Sequence, residues 1–525
     1  MNLLKSTGII GGLTLVSRVA GFAREMIFAR VLGAGAVSDA FLQAFLLPNT
    51  FRRLFAEGAF SAAFVPMFSK RLHQGEGIED ARRFSNDVLS VFLPVLIALA
   101  AIFEIAMPGV IWLLASDWQE IPGKFELGVA LARITFPYIV LISLVTVFSA
   151  MLNSVSRFAP GASFPIILNI VMIAALLFGD ALRRRGYDTA DIAYVLAWAV
   201  MLAGFLQLGW VYLFARRAGF RPRLGPPRIT PEVKRLGLIA FPAALGTGAY
   251  QISQLVQVYF LNQLESGSLS HVNYADRLNQ LPLGIIGIAL GTAILPSLSK
   301  FVGAEDRAGA DRMQSNAIEL AMLLTIPAAA ALALCALPFV TLVFLGGRFE
   351  PEDAAITADV LTALVAGLPA YVLIKVLVPS FYARADTKTP VYAALAALAF
   401  FVLFNLFFLF RFGVVGVAAA SAAGAWINCA ILLAILSARD LYRPPARLIG
   451  RIGRQIAAAA MMAAALYAVR EQLWGLYAGD ILARAAALAA LVAAGTLSYF
   501  AAAFALGAVD RQRLRLLMTR KAAQR

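Results

Sequence analysis

Apolar residues in this chain arrive in long runs separated by short polar clusters, and this spacing constrains the fold more than any other feature of the sequence. A helix of about 20 apolar residues spans the hydrocarbon core of a bilayer. Inside that core only helices or closed barrels satisfy their own backbone groups. Composition agrees: 61% of the 525 residues are hydrophobic and 14% are charged, whereas a soluble domain carries roughly a quarter charged residues. The chain reads as an all-α polytopic membrane protein.

Apolar runs bounded by charge, Pro or Gly predict about 14 transmembrane helices. They fall near 6–32, 37–68, 84–114, 125–151, 161–181, 190–215, 235–263, 272–299, 314–346, 355–383, 390–410, 414–438, 453–470 and 482–508. The first run reads as a helix and not a signal peptide, because Arg18 interrupts it, Arg24 follows and no small-residue cleavage site closes it. Lys and Arg concentrate in alternate loops, among them Lys70–Arg83, Arg216–Arg235 and the end of the chain. That bias places both termini in the cytoplasm. The Arg183–Arg185 cluster is the main exception on the opposite side.

Several function classes drop out. Cys335 and Cys429 sit far apart inside apolar runs, so neither a disulfide framework nor a CxxC site is available. With His73 and His271 as the only histidines, a His-rich metal site is excluded. No phosphate-loop or dinucleotide fingerprint is present, so nothing points to an ATP-driven pump. The net charge of +15 lies in the loops, where it fits cytoplasmic membrane loops and not nucleic acid.

The chain also repeats itself. Phe64–Lys70 (FVPMFSK) and Ile294–Lys300 (ILPSLSK) stand 230 apart; TFPYIV from Thr135 and GLPAYV from Gly367 stand 232 apart; Pro160 and Pro390 stand 230 apart. Three matches at one offset indicate duplication. A six-helix repeat keeps its membrane orientation, so the two copies form lobes around a central cavity. The expected organisation is an N-terminal lobe over 1–216, a basic Pro-rich cytoplasmic linker over 217–234 and a C-terminal lobe over 235–440. Two further helices over 441–510 and a basic cytoplasmic tail over 511–525, near anionic lipid, complete it.

Ionisable residues inside the spans carry the functional signal. Helix 1 holds Arg18, Arg24, Glu25 and Arg30; helix 2 holds Asp39, Arg52, Arg53 and Glu57; helix 8 holds Asp276 and Arg277; Glu104, Arg133 and Lys375 stand in helices 3, 4 and 10. Each central Arg costs roughly 2.5–3.5 kcal/mol on insertion scales. Arg18, Arg24, Arg52 and Arg53 facing lipid would therefore cost on the order of 10–14 kcal/mol, so they face a hydrated cavity or partners. Clustered guanidinium groups suit bidentate recognition of phosphate or carboxylate. Structural readings stand beside this one. Arg30 snorkels, Arg53 and Glu57 pair at i,i+4, and Glu104 pairs with Arg133. Glu25 beside Arg24 and Asp276 beside Arg277 neutralise their neighbours in the structural reading; because adjacent residues diverge on a helix, each pair also needs partners from elsewhere.

On these residues the sequence resembles the MurJ (MviN) family of lipid II flippases, within the multidrug/oligosaccharidyl-lipid/polysaccharide exporter superfamily. The resemblance is carried by Ser17–Lys70, by Tyr274–Ser299 and by DTKTP at Asp386–Pro390. It implies two six-helix lobes plus two C-terminal helices that form a groove for a polyprenyl tail. The cavity arginines it implies for diphosphate and head-group binding are Arg18, Arg24, Arg52 and Arg277. Asp39 falls on a sensitive position, with Ser17, Glu25, Arg53, Glu57 and Asp276 in supporting or gating roles. Some members bind sodium through an acid on helix 7; here that helix holds Gln251, Gln254 and Gln257 and no acid, leaving Asp386 as the carboxylate candidate beside Gln254 and Gln257. No other cofactor is implied.

The implied function is flipping of lipid II across the bacterial inner membrane by alternating access, driven by membrane potential or an ion gradient. The partners it implies are lipid II, membrane lipids and the cell-wall synthesis machinery, with no nucleic acid. The alternatives are a flippase for another polyprenyl diphosphate, such as an O-antigen unit, a drug exporter of the same superfamily, or a scaffold with dispensable arginines. The excess of Arg over acid in helices 1 and 2 argues against cation export. Electrostatics does not separate two diphosphate substrates.

Overall fold

The computed structural model describes residues 3–53, 60–74, 77–223, 225–473, 475 and 481–508; of these, the side chains of 3–7, 62, 241–250, 288, 289, 292, 293 and 481 are left aside. Glu57 and the 511–525 tail lie outside the described residues. Among the described residues the structure is helical without strands. The helices are α1 Leu3–Leu32, α2 Ala36–Arg52, α3 Ser61–Gln74, α4 Ile78–Leu114, α5 Lys124–Thr135, α6 Tyr138–Ser154, α7 Ala159–Arg183, α8 Thr189–Arg217 and α9 Pro231–Asn262. They continue as α10 Ser268–Pro282, α11 Ile288–Gly303, α12 Arg307–Leu334, α13 Ala336–Phe344, α14 Pro351–Val365, α15 Leu368–Tyr382, α16 Lys388–Ala438, α17 Ala446–Gln472 and α18 Ile481–Ala505.

Nine stretches among the described residues are long and apolar enough to cross a membrane. The protein is a multi-pass membrane protein. The 51-residue α16 has non-helical backbone at Gly413 (φ 54°, ψ −147°), where the sequence predicts a break between 390–410 and 414–438. Helices α1, α2, α3, α9, α10, α11 and α13 fall outside the nine. Several of them are short or carry prolines and charges, among them Asp39, Pro48, Asp276 and Arg277.

The chain forms two compact units. The first contains Met1–Ser270 and Gly346–Phe349; the second contains His271–Leu345 and Glu350–Arg525. Helix α9 therefore belongs by packing to the first unit, where it lies against α3 and α4. The boundary expected from the sequence lies near 235, whereas the packing boundary lies after Ser270.

Within the first unit α7 lies between α1 and α8, α2 packs on α5, and α6 packs on α8. A ladder of aromatic rings, Phe92–Phe60–Phe64–Phe68, ties α3 to α4 and continues to Phe220. Thr135 donates to the carbonyl of Ala44 at 2.9 Å, and Tyr138 donates to Gln207 Oε1 at 3.0 Å. In the second unit α12 is central. Gln314 accepts from the Ser380 hydroxyl at 2.8 Å and donates to the Val376 carbonyl at 3.1 Å.

Local geometry is similar at several matched positions of the two units. The fourth predicted span is broken between Thr135 and Tyr138, at Pro137, and the tenth between Val365 and Leu368, beside Pro369. A proline lacks the amide that would continue the ladder. Helix α6 ends in a left-handed turn at Ser156 (φ 60°) with Arg157 N bonded to Leu152 O at 2.9 Å. Helix α15 ends alike at Ala385 (φ 60°), with Asp386 N on Phe381 O at 3.0 Å. Gly219 closing α8 and Asp440 closing α16 form a second such pair, with Phe220 N on Ala215 O and Leu441 N on Leu436 O. Each turn satisfies carbonyls that the helix end would leave open.

Helices α17 and α18 pack on each other, and α17 packs on α12, through small residues such as Ala458, Ala459 and Ala503. Small side chains let backbones approach closely in a membrane. Polar contacts fix the register: Arg451 holds Glu319 at 2.7 and 2.8 Å, Gln455 donates to Glu319 O, and Tyr499 donates to Leu323 O at 2.9 Å.

Candidate functional site

The arginines of the first two helices lie in the first unit. Arg18 is exposed on α1; Ser17 beside it is half-buried, and its carbonyl accepts from Asn169 on α7 at 3.1 Å. Arg24 is nearly covered, with 12% of its side chain exposed. Its guanidinium bonds directly to the buried Glu25 and lies 6.0 Å from the ring of Phe45 on α2. Glu25 thus neutralises its neighbour: the long Arg24 side chain folds along the helix and meets it, although adjacent positions diverge. Arg52 closes α2 half-buried, and Arg53 follows it exposed. Arg277 and Asp276 belong to α10 in the second unit, where Asp276 accepts from Gln280 and from Asn279. Arg133 reaches the main-chain carbonyl of Glu104 at 3.2 Å.

Asp39 is densely bonded. Its carboxylate, 2% exposed, is buried in the first turn of α2. Oδ1 accepts from the amide and the hydroxyl of Ser270, at 3.0 and 2.7 Å; Oδ2 accepts from the amide of Gly267 at 2.7 Å and from Lys124 Nζ at 3.2 Å. Ser38 joins through Ser270 Oγ at 2.9 Å. Asp39 thus caps the N-terminus of α10 from another helix, where unsatisfied amides and the helix dipole both favour a negative charge. One turn further along α2, Asn262 donates to Gln43 at 3.1 Å and to the Leu114 carbonyl at 3.0 Å, forming a second polar layer. The turn Gly346–Phe349 is pinned nearby in sequence to the end of α1, with Arg348 N on Arg30 O at 2.8 Å.

Where the predicted second span ends, Arg71 holds α3 to its neighbours. It pairs with Asp80 at 3.1 Å and Glu232 at 3.4 Å and lies 4.9 Å from the Phe84 ring. A cavity of about 680 Å³ opens beside it, lined by Met67, Lys70, Arg71, Glu232 and Arg235 among others.

Sequence reasoning missed Lys124, Ser266, Gly267 and Ser270. Lys124 follows Gly123 and counts in the sequence as an outer-loop lysine; the others sit in a short polar connection that reads as a turn. Nothing in their spacing announces that one carboxylate gathers them.

Of the residues raised for a sodium ion, Asp386 is engaged by protein donors. Asp386 caps α16, accepting from Thr389 N at 3.0 Å and Thr389 Oγ1 at 2.6 Å, and Arg439 holds it at 2.7 Å. The Thr389 bonds, with the Arg439 charge, hold its carboxyl down to about 2. Gln254 and Gln257 lie half-buried on α9 in the first unit. Among the described residues no group of three or more His, Cys, Asp or Glu is placed to hold a metal.

Residues 28–507 match the sequence family described as Lipid II flippase MurJ. The chain belongs to the lipid II flippase MurJ family. A relative from Rhizobium meliloti described as a probable lipid II flippase MurJ is 40% identical, covering 100% of this chain and 97% of its own. That relative extends the MurJ likeness through Arg18 and Arg24, upstream of the family match. A Burkholderia cenocepacia protein described as lipid II flippase MurJ is 35% identical, over 85% of this chain and 86% of its own. A solved MurJ structure in an inward closed conformation has a TM-score of 0.77 at 22% identity, covering 94% of this chain and 97% of its own. An inward-facing MATE family transporter of the MOP superfamily has a TM-score of 0.62 at 14% identity, over 82% and 97%. These two likenesses show that the chain shares the fold of both structures.

Proposed function

We propose that the protein is a transporter, not an enzyme, which moves lipid II from the cytoplasmic to the outer leaflet of the bacterial inner membrane for peptidoglycan synthesis. The observation that carries this reading is the concentration of Arg18, Arg24 and Arg52 within the first two spans of a chain that belongs to the MurJ family. With Arg277 they bind the diphosphate and head group in the bidentate manner that guanidinium groups favour. Ser17, Glu25, Arg53, Glu57 and Asp276 support or gate that site. The lobes over 1–216 and 235–440, joined by 217–234, rock about it. Helices over 441–510 take the polyprenyl tail, and both termini, including the 511–525 tail, stay in the cytoplasm. The product feeds the cell-wall synthesis machinery.

In this reading the Asp39 knot is the outer closure and the Arg71 cluster stands on the cytoplasmic side. Because Asp39 binds neutral donors of the 266–270 segment, the closure releases without breaking covalent or metal bonds. An inside-negative potential favours outward movement of anion by about 2.3 kcal/mol per charge per 100 mV, so a diphosphate gains roughly twice that. Potential alone is an adequate drive.

The test counts lipid II head groups accessible to an external lipid II-cleaving toxin, in cells that depend on this protein. Depletion and the variants Arg24→Ala and Arg52→Ala, at matched abundance, are expected to abolish exposure. Unchanged exposure on depletion would redirect the reading to another polyprenyl diphosphate. Normal exposure in both variants would remove the arginines from the site.

A further inference from the structure

Lys124 is 3% exposed although it is the first residue of α5 and follows an exposed Gly123. Its ammonium instead turns inward to three fixed neighbours: Asp39 Oδ2 at 3.2 Å, Ser266 Oγ at 3.1 Å and the Trp118 ring at 4.6 Å. Trp118 is fully buried, and Gly128 leaves it no room to retreat, since a Cβ there would stand 2.9 Å from the indole. A cation at a helix N-terminus opposes the helix dipole, so this placement does nothing for α5 itself. It serves the carboxylate it touches.

The other donors to Asp39 are neutral: two amides and a hydroxyl. They orient the carboxylate, but taking a charge out of water is offset chiefly by an opposite charge. When water reaches Asp39 the need for that countercharge fades; when the knot closes, it returns. We propose that Lys124 is a positioning residue of the transport cycle, whose charge stabilises the closed Asp39 knot over the open one. This rests on the reading of the knot as the outer closure.

The amides of Gly267 and Ser270 donate to Asp39, so their hydrogen exchange reports the knot directly. The full-length protein in lipid nanodiscs would be compared as wild type, Lys124→Met, Asp39→Asn, the double variant and Lys124→Arg, with α8 amides as the control for folding. Each single variant is expected to speed exchange of Gly267 and Ser270 about tenfold or more, because one buried charge is left alone. The double variant is expected to return to within about threefold of wild type, and Lys124→Arg to stay near it. In cells, Lys124→Met is expected to lower outer-leaflet lipid II exposure and the double variant to restore part of it.

Wild-type exchange in Lys124→Met, or single effects that multiply in the double variant, would make Lys124 a packing residue and overturn the proposal. The expected exchange pattern with normal lipid II exposure in Lys124→Met would overturn its place in transport. The arginine site would survive that result, because Arg24→Ala and Arg52→Ala test it separately.

Discussion

Asp39 holds Ser270 twice through a single oxygen: Oδ1 accepts both the amide at 3.0 Å and the hydroxyl at 2.7 Å of a residue 231 positions away. The amide bond caps α10, and the hydroxyl bond fastens the cap. A hydrogen bond to a charged group is worth about 1.5–3 kcal/mol. Ser270→Ala removes the hydroxyl and leaves the amide, so the closure is expected to weaken by that order and transport to fall without loss of folded protein. Lipid II exposure at matched abundance, together with exchange at Gly267, checks it. Unchanged exchange at Gly267 would mean that the hydroxyl adds nothing to the knot.

The turn Gly346–Phe349 depends on glycine for a steric reason. Gly347 has φ +62°, and a Cβ there would run into the Arg30 carbonyl. Gly33 (φ +71°) meets Arg348 from the other side, a Cβ falling 2.6 Å from its carbonyl. Gly347→Ala is expected to cost about 1–3 kcal/mol and to free the turn from α1. Trypsin added from outside should then cut after the exposed Arg348 faster than in the wild type, where Phe349 is buried.

Arg451 and Glu319 form an ion pair with 12% and 15% of their side chains exposed, joining α17 to α12. Removing one partner of such a pair costs about 3–5 kcal/mol, whereas replacing both with apolar residues is close to neutral. Arg451→Leu and Glu319→Leu are each expected to lower the thermal unfolding midpoint in detergent, and the double variant to recover most of the loss. Additive losses in the double variant would place the binding of α17 in its alanine packing instead.

Asp386 carries a pH signature. Its carboxyl is held at about 2, below the ordinary 3.8, first by the Thr389 hydroxyl, then by the Thr389 amide and Arg439. A depressed value means stability that is fully present above about 4 and lost as pH falls toward 2. Wild type is therefore expected to melt a few degrees above Asp386→Asn at neutral pH, with the gap closing between pH 4 and pH 2. A gap that is constant across that range would show that the charge is not what Asp386 contributes.

The break at Gly413 was legible because its cause is local. The spans over 125–151 and 355–383 read as continuous in the sequence, and the structure interrupts them at Pro137 and beside Pro369, where a missing amide ends the ladder. The candidate arginines were legible for a similar reason, since a charge within an apolar run is conspicuous whatever surrounds it. The direct Arg24–Glu25 bond was not, because helix geometry places the Cβ atoms but not the end of a flexible side chain.

By itself, then, the sequence determined that this chain crosses a membrane many times and that it carries cations within its spans. Those properties depend on hydropathy and periodicity over neighbouring residues. Only the tertiary structure decided that Asp39, Lys124, Gly267 and Ser270 share one buried knot. Their contacts span 85 to 231 positions, and two of them run through backbone amides that every residue but proline carries. Hydrogen bonds of that kind leave no mark in composition or spacing; they exist because burial obliges each polar group to find a partner.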